Sequence, residues 1–160
     1  MNKCLIVVAA LFALLQPSKV ASQQITVQAA DGKQTTLTRA DIEALPHVKL
    51  TANQSGETTT FEGVTLRSVL EKGGIPVGEM LHGKGMALCL LVEAADGYRV
   101  VIALPEIDPG FTDKQVALVF LKDGKPLNDK EGPYRIVIPD EKRMARWVRQ
   151  VTELRIVEVH

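Results

Sequence analysis

The chain has 160 residues, with 19 lysines and arginines, 19 aspartates and glutamates, and a formal net charge of zero at pH 7. Its hydrophobic content of 46% and charged content of 24% are those of an ordinary globular domain and exclude a mainly disordered chain. The balanced charge also argues against a nucleic-acid partner, because nucleic-acid-binding proteins gain much of their affinity from an excess of basic residues.

The first 22 residues have the pattern of a secretory signal peptide. Lys3 supplies a positive charge, residues 4–15 are an unbroken apolar run, and Val20-Ala21-Ser22 precedes a cleavage point before Gln23. The apolar run is too short for a spanning helix, which needs about 20 residues. We therefore expect a mature domain of residues 23–160 that is periplasmic or secreted and not attached to a membrane.

The first half of this domain combines short strands with short helices. The sequence predicts strands over 24–29, 47–52 and 58–61, helices over 39–45 and 65–72, and a loop over 78–85. Thr38 and Asp41 have the spacing of a capping box before the first helix, and Pro46 ends that helix. Gly73-Gly74 is expected to end the second helix.

The second half is rich in strands. They are predicted over 86–95, 98–104, 116–121, 134–138 and 151–159, with tight turns at Asp96-Gly97 and Asp123-Gly124. Asp140 is expected to cap a helix that ends near Val148. Because the elements interleave without a regular strand–helix–strand repeat, the predicted fold class is α+β, a single mainly-β mixed-sheet domain with short helices.

The sequence lacks the motifs of common catalytic and metal sites. The three histidines, His47, His82 and His160, are widely separated and have no ligand-spaced partners, so no metal and no catalytic residue are predicted. Cys89 is the one cysteine left after signal cleavage, and it lies in an apolar stretch without a neighbouring base. We interpret it as a buried, inert thiol.

One basic segment is a candidate binding site, and it contains Lys142, Arg143, Arg146, Trp147 and Arg149. On the predicted helix the three arginines would share a flank, where their guanidinium groups suit a phosphate or pyrophosphate. Trp147 would stack on a ligand or fill the core. The alternative interpretation is a solvated basic face balanced by nearby acidic residues.

Five sequence blocks occur in order through this domain. They read FEGVTLRSVL at 61–70 followed by GI at 74–75, ADGY at 95–98 with LPE at 104–106, DGKPL at 123–127, GPYRIVIP at 132–139 and RWV at 146–148. Together they resemble the oxidoreductase molybdopterin-binding domain of sulfite oxidases and their bacterial periplasmic relatives. The resemblance implies an α+β domain that holds a pterin cofactor through its dithiolene side and its phosphate.

The resemblance also implies the candidate cofactor-binding residues. Arg146, by its motif position, would lie near the cofactor phosphate, and Arg143 is added because it is close in sequence. Trp147 would wall the groove, and Asn53 lies in the segment where catalytic members carry their molybdenum-ligating cysteine. In this chain that segment reads LTANQSG at 50–56 and has no cysteine. The amides of Asn and Gln are poor substitutes at a metal–sulfur centre.

We therefore expect a non-catalytic or accessory protein that binds a small pterin or anionic ligand, with molybdopterin as the candidate cofactor. Two alternatives remain open from the sequence. One is a periplasmic protein-interaction module with an empty groove. The other is a subunit of a molybdenum oxidoreductase.

Overall fold

The computed structural model describes residues 23–54 and 56–159, so the predicted signal peptide lies outside the described residues. The strands are β1 (Gln24–Gln28), β2 (Gln34–Thr38), β3 (His47–Gln54), β4 (Glu57–Thr65), β5 (Leu88–Ala94), β6 (Arg99–Ala103), β7 (Ala117–Lys122), β8 (Lys125–Pro126), β9 (Arg135–Val137) and β10 (Val151–Glu158). The α-helices are α1 (Arg39–Glu43), α2 (Leu66–Lys72) and α3 (Val77–Met80), and 3₁₀ turns span Gly83–Ala87, Leu104–Ile107 and Met144–Arg146. In the part of the chain that the structure describes, no helix is long and apolar enough to cross a membrane.

The first sheet has the strand order β2-β1-β10-β5-β6. β1 and β10 run parallel and the other neighbours run antiparallel, so the sheet is mixed. Its core face follows the period-two alternation of strands, as Leu90 and Val92 of β5 show by their complete burial. The last strand of the chain therefore lies at the centre of this sheet.

The second sheet has the order β3-β4-β7-β8 and is antiparallel, with β9 also paired to β7. A bulge in β4 lies between Glu62 and Gly63. A Cβ atom at Gly63 would lie 2.2 Å from the carbonyl oxygen of Leu118, so only glycine fits this close strand approach. This contact explains why the sequence block at 61–70 has a glycine at position 63.

The two sheets and the helices share one hydrophobic core. Phe61, Leu66, Leu118 and Ile136 are completely buried in it, and Trp147 is 3% exposed. The predicted α+β, mainly-β class is confirmed. So are the Thr38–Asp41 capping box and the turn at Gly97, where φ is +83°.

The helix predicted from Asp140 to about Val148 is wrong. The segment contains only the single 3₁₀ turn Met144–Arg146, and it then runs extended so that the Ile136 N–H donates to the carbonyl of Val148. A helix over 140–146 would have no apolar face to bury, because Met144 and Ala145 are both exposed. The arginines at 143, 146 and 149 therefore do not share a helix flank.

The predicted loop over 78–85 is also more ordered than expected. It begins within α3, which buried Val77 anchors, and it continues into the 3₁₀ turn Gly83–Ala87. Buried Leu81 joins the two turns to the core, which explains why this glycine-containing stretch still forms local structure.

Candidate functional site

Arg146 is bonded to two carboxylates of the chain itself. Its Nη1 and Nη2 donate to Oε1 and Oε2 of Glu106, both at 3.1 Å. Its Nε donates to Oε1 of Glu141 at 2.7 Å, and Nη2 contacts the same oxygen. Both forked edges of the guanidinium group are therefore occupied by side chains of this protein.

Glu106 is itself held in place by further donors. Lys114 Nζ donates to Oε2 at 3.0 Å, and the Ala103 N–H donates to Oε1 at 3.3 Å. The hydrogen bonds from Arg146, followed by those from Lys114 and Ala103, lower the pKa of Glu106 to about 2. Together with Glu141, the cluster contains two cations, Arg146 and Lys114, and two carboxylates, so their charges sum to zero.

Trp147 follows Arg146 and turns into the core. Its Nε1 donates to the carbonyl of Ile138 at 3.0 Å, and its ring meets Phe61 edge-to-face at a centroid distance of 5.9 Å. The indole satisfies its single donor in a buried setting, as a buried tryptophan requires. Trp147 is also among the residues that line a surface pocket.

Arg135 lies against the same aromatic rings, and no pattern in the sequence predicted a role for it. Its guanidinium carbon is 5.4 Å from the Trp147 centroid and 5.8 Å from the Phe61 centroid. The residue is 4% exposed, and its Nη1 donates to Glu131. Burial lowers the pKa of Arg135 despite the nearby Glu131 carboxylate. The sequence signal that could have identified Arg135 is the position of an arginine within the predicted apolar strand 134–138, because a buried charge needs a partner.

Arg143 and Asn53 lie apart from this cluster. Arg143 is exposed and precedes the 3₁₀ turn. Asn53 is exposed at the end of β3, where its Oδ1 accepts a hydrogen bond from the Gly56 N–H at 2.8 Å. Among residues 23–54 and 56–159, neither side chain bonds to Arg146 or Trp147.

A pocket of about 590 Å³ opens beside Trp147, and we call it the Trp147 pocket. Three segments form it: the hairpin turn at 94–98, residues 129–130, and residues 144–145 with 147–150. The side chains that give it chemical character are Asp96, Tyr98, Lys130, Met144, Trp147 and Arg149. Its volume lies within the range of small-molecule sites, about 300–1,000 Å³.

Hydrogen bonds fix the three walls of the Trp147 pocket to one another. Tyr98 Oη donates to the carbonyl of Ala145 at 2.8 Å. Gln150 joins the other two walls, because its Nε2 donates to the carbonyl of Asp129 at 2.7 Å and its own carbonyl accepts from the Ala95 N–H at 2.9 Å. The pocket is therefore preformed.

Cys89 lies in β5 of the first sheet, whereas the turn between β3 and β4 belongs to the second sheet. It is 7% exposed, its Sγ is 3.7 Å from the carbonyl oxygen of Val157, and burial raises its pKa. Its predicted burial is confirmed, and its inertness stays a prediction. Within the described ranges, no three Asp, Glu, His or Cys side chains converge as metal ligands.

Residues 13–160 match the family model of the oxidoreductase molybdopterin-binding domain. The chain belongs to this family. A comparison with curated proteins gives no match.

A solved structure shares the fold. The sulfane dehydrogenase SoxCD from Paracoccus pantotrophus superposes with a TM-score of 0.65 at 19% sequence identity. The match covers 85% of this chain and 38% of that one, so the chain spans well under half of the neighbour's length. At this identity the likeness supports the mainly-β fold with its mixed sheet and short helices.

The side chains present do not fit a metal-bearing, phosphate-bearing cofactor. Arg146, which the family resemblance implies near the phosphate, has both guanidinium edges occupied by Glu106 and Glu141. Asn53 uses its oxygen to close a turn, and residues 50–56 contain no cysteine to supply a thiolate. The amide oxygen of Asn53 is a poor replacement for a thiolate at a metal–sulfur centre.

Proposed function

We propose that this chain is an exported, non-catalytic accessory member of the molybdopterin-binding family that binds a small pterin-type or anionic ligand in the Trp147 pocket. The predicted signal peptide at 1–22 supports export to the periplasm or outside the cell. The missing cysteine and the occupied guanidinium of Arg146 support the absence of independent catalysis.

The observation that carries the proposal is the convergence of the family's sequence blocks on one pocket. Asp96 and Tyr98 of block 95–98 line the Trp147 pocket, as do Trp147 and Val148 of block 146–148. These blocks are far apart along the chain. The fold therefore brings the resembling segments together around a cavity, as expected for a retained binding site.

The lining of the Trp147 pocket suits a planar heterocycle with polar edges. Tyr98 is 49% exposed and Met144 is 36% exposed, so an aromatic ring and a thioether are available for stacking. Asp96 can accept hydrogen bonds from ring amines such as those of a pterin. Lys130 and Arg149 supply positive charge for an anionic substituent.

Titration with an unphosphorylated pterin tests the proposal. Trp147 is the only tryptophan, so its fluorescence reports directly on the pocket. Tyr98→Ala should weaken binding by about 2- to 12-fold, because an aromatic pair contributes about 0.5–1.5 kcal/mol. Phe111→Ala, at a residue that is 53% exposed outside the pocket, is the matched control and should bind like the parent. No pterin binding by the parent, or equal affinities for the two variants, would overturn the proposal.

Elemental analysis and mass spectrometry of the native periplasmic protein test the non-catalytic part. We expect no stoichiometric molybdenum. Molybdenum at one atom per chain would instead support the alternative of a subunit of a molybdenum oxidoreductase.

A protein-interaction module is the second candidate function. The exposed Tyr98 and Met144 side chains at the pocket favour it, because such residues often anchor protein partners. A partner whose binding is lost in Tyr98→Ala, together with a parent that binds no pterin, would support this alternative.

A further inference from the structure

The two carboxylates around Arg146 form a clamp, which we define as Glu106 and Glu141. The clamp occupies the Nη1–Nη2 edge and the Nε–Nη2 edge of the guanidinium group. A phosphate bound in forked geometry needs one of these edges. It would also have to approach two carboxylates that already neutralise the arginine.

The clamp is itself rigidly supported. Glu106 is fixed by Lys114 at 3.0 Å and by the Ala103 N–H at 3.3 Å, and it belongs to the 3₁₀ turn Leu104–Ile107. Glu141 is only 15% exposed, so its carboxylate is shielded from solvent next to the guanidinium. Because Glu106 has a pKa of about 2, it stays ionised at neutral and mildly acidic pH.

We infer that Glu106 and Glu141 determine anion specificity at Arg146 by excluding phosphate from its guanidinium group. The exclusion of phosphate at Arg146 stands on the clamp geometry alone. Glu106 and Glu141 thus take the positions that phosphate oxygens would need around this arginine.

The experiment uses the mature chain and inorganic pyrophosphate as the probe. We expect the parent to bind pyrophosphate at least tenfold more weakly than Glu106→Gln/Glu141→Gln, which removes both negative charges and keeps side-chain size. Adding Arg146→Ala to this double variant should abolish the gain. Binding is measured by calorimetry in dilute salt, because salt screens exposed charges.

Glu43→Gln is the matched control. It releases Arg39, which is 40% exposed and pairs with Glu43 at 2.7 Å, and it should not increase pyrophosphate binding. Circular dichroism checks that each variant is folded. If the double variant is unfolded, Glu141→Gln alone is used, and it should still bind pyrophosphate several-fold more tightly than the parent because one guanidinium edge is open.

The inference is overturned if the parent binds pyrophosphate and Arg146→Ala abolishes that binding. It is also overturned if the folded clamp variants bind pyrophosphate no more tightly than Glu43→Gln does. If the parent binds no pterin, the proposed function fails while the pyrophosphate experiment still decides the inference about the clamp.

Discussion

Two arginines next to Trp147, one against its ring and one before it in the chain, differ sharply in their surroundings. Arg135 is 4% exposed, lies against Phe61 and Trp147, and has one carboxylate partner, Glu131. The Arg146 side chain is 29% exposed and has two carboxylate partners. Both charges are compensated within the chain, but only Arg135 depends on its partner to avoid an uncompensated charge in the core.

Because of this difference, we expect the two arginines to affect different properties of the protein, one its stability and the other its ligand specificity. Removing one partner of a buried ion pair costs about 3–5 kcal/mol, because the remaining charge cannot be hydrated. Removing a partner of a half-exposed pair costs much less, since water reaches the remaining charge. We therefore expect the Arg135 region to control folding and the Arg146 region to control which ligands bind.

The largest effect is expected for Trp147→Ala, which changes the residue that adjoins both arginines. Loss of a buried indole costs about 3–5 kcal/mol, and the carbonyl of Ile138 loses one of its two donors. Urea denaturation measures the change in the free energy of unfolding. Phe111→Ala, on the surface, should change it by less than about 0.5 kcal/mol. A loss below about 2 kcal/mol for Trp147→Ala would show that this side of the core is loosely packed.

Glu131→Gln tests the buried arginine. It should destabilise the protein by about 3 kcal/mol, near the lower end of the range because an amide can still accept a hydrogen bond. Arg135→Met added to Glu131→Gln should recover much of this loss, since the buried charge is then gone. Thermal and urea unfolding of both variants measure the effect. A double variant less stable than Glu131→Gln would show that the guanidinium contributes mainly through its aromatic contacts.

Glu106→Gln tests the half-exposed cluster through its pH dependence. The folded-state pKa of about 2 is below the ordinary value of 4.5, so the stabilisation from ionised Glu106 is present above pH 4.5 and is lost as pH falls through 2. We expect Glu106→Gln to be less stable than the parent by about 1.5 kcal/mol at pH 7, the low end for charge-assisted hydrogen bonds because water reaches this cluster. The gap should shrink below pH 4.5 and close near pH 2. A constant gap in urea denaturation across this range would contradict the assignment.

The smallest effect is expected at Cys89, which lies outside both arginine regions. Its thiol should react slowly with an aromatic disulfide reagent in the folded protein and rapidly in urea, because burial raises its pKa and blocks access. Cys89→Ser should leave pterin binding unchanged. Fast reaction in the folded state would show that β5 opens locally.

Local patterns in the sequence were sufficient for most of the fold. Alternating apolar residues predicted most strands of both sheets but missed the edge strands β2 and β8, which carry few apolar residues. Short-range chemistry predicted the Thr38–Asp41 capping box and the turn at Gly97. The helix predicted over 140–148 failed because a cap and spaced arginines do not supply an apolar face. The extended segment instead gains a backbone bond from Ile136 to Val148 and buries Trp147.

By itself the sequence determined the fold class, the family blocks, the absence of a cysteine in residues 50–56 and the presence of basic side chains around Trp147. It could not reveal that Glu106 neutralises Arg146, because Glu106 is 40 residues away along the chain. Nor could it show that Arg135, four residues from Glu131, is buried against Phe61 and Trp147. Both arrangements depend on how distant segments of the chain approach each other, and electrostatic interactions depend on distance in space. The tertiary structure alone therefore decided the surroundings of these two arginines.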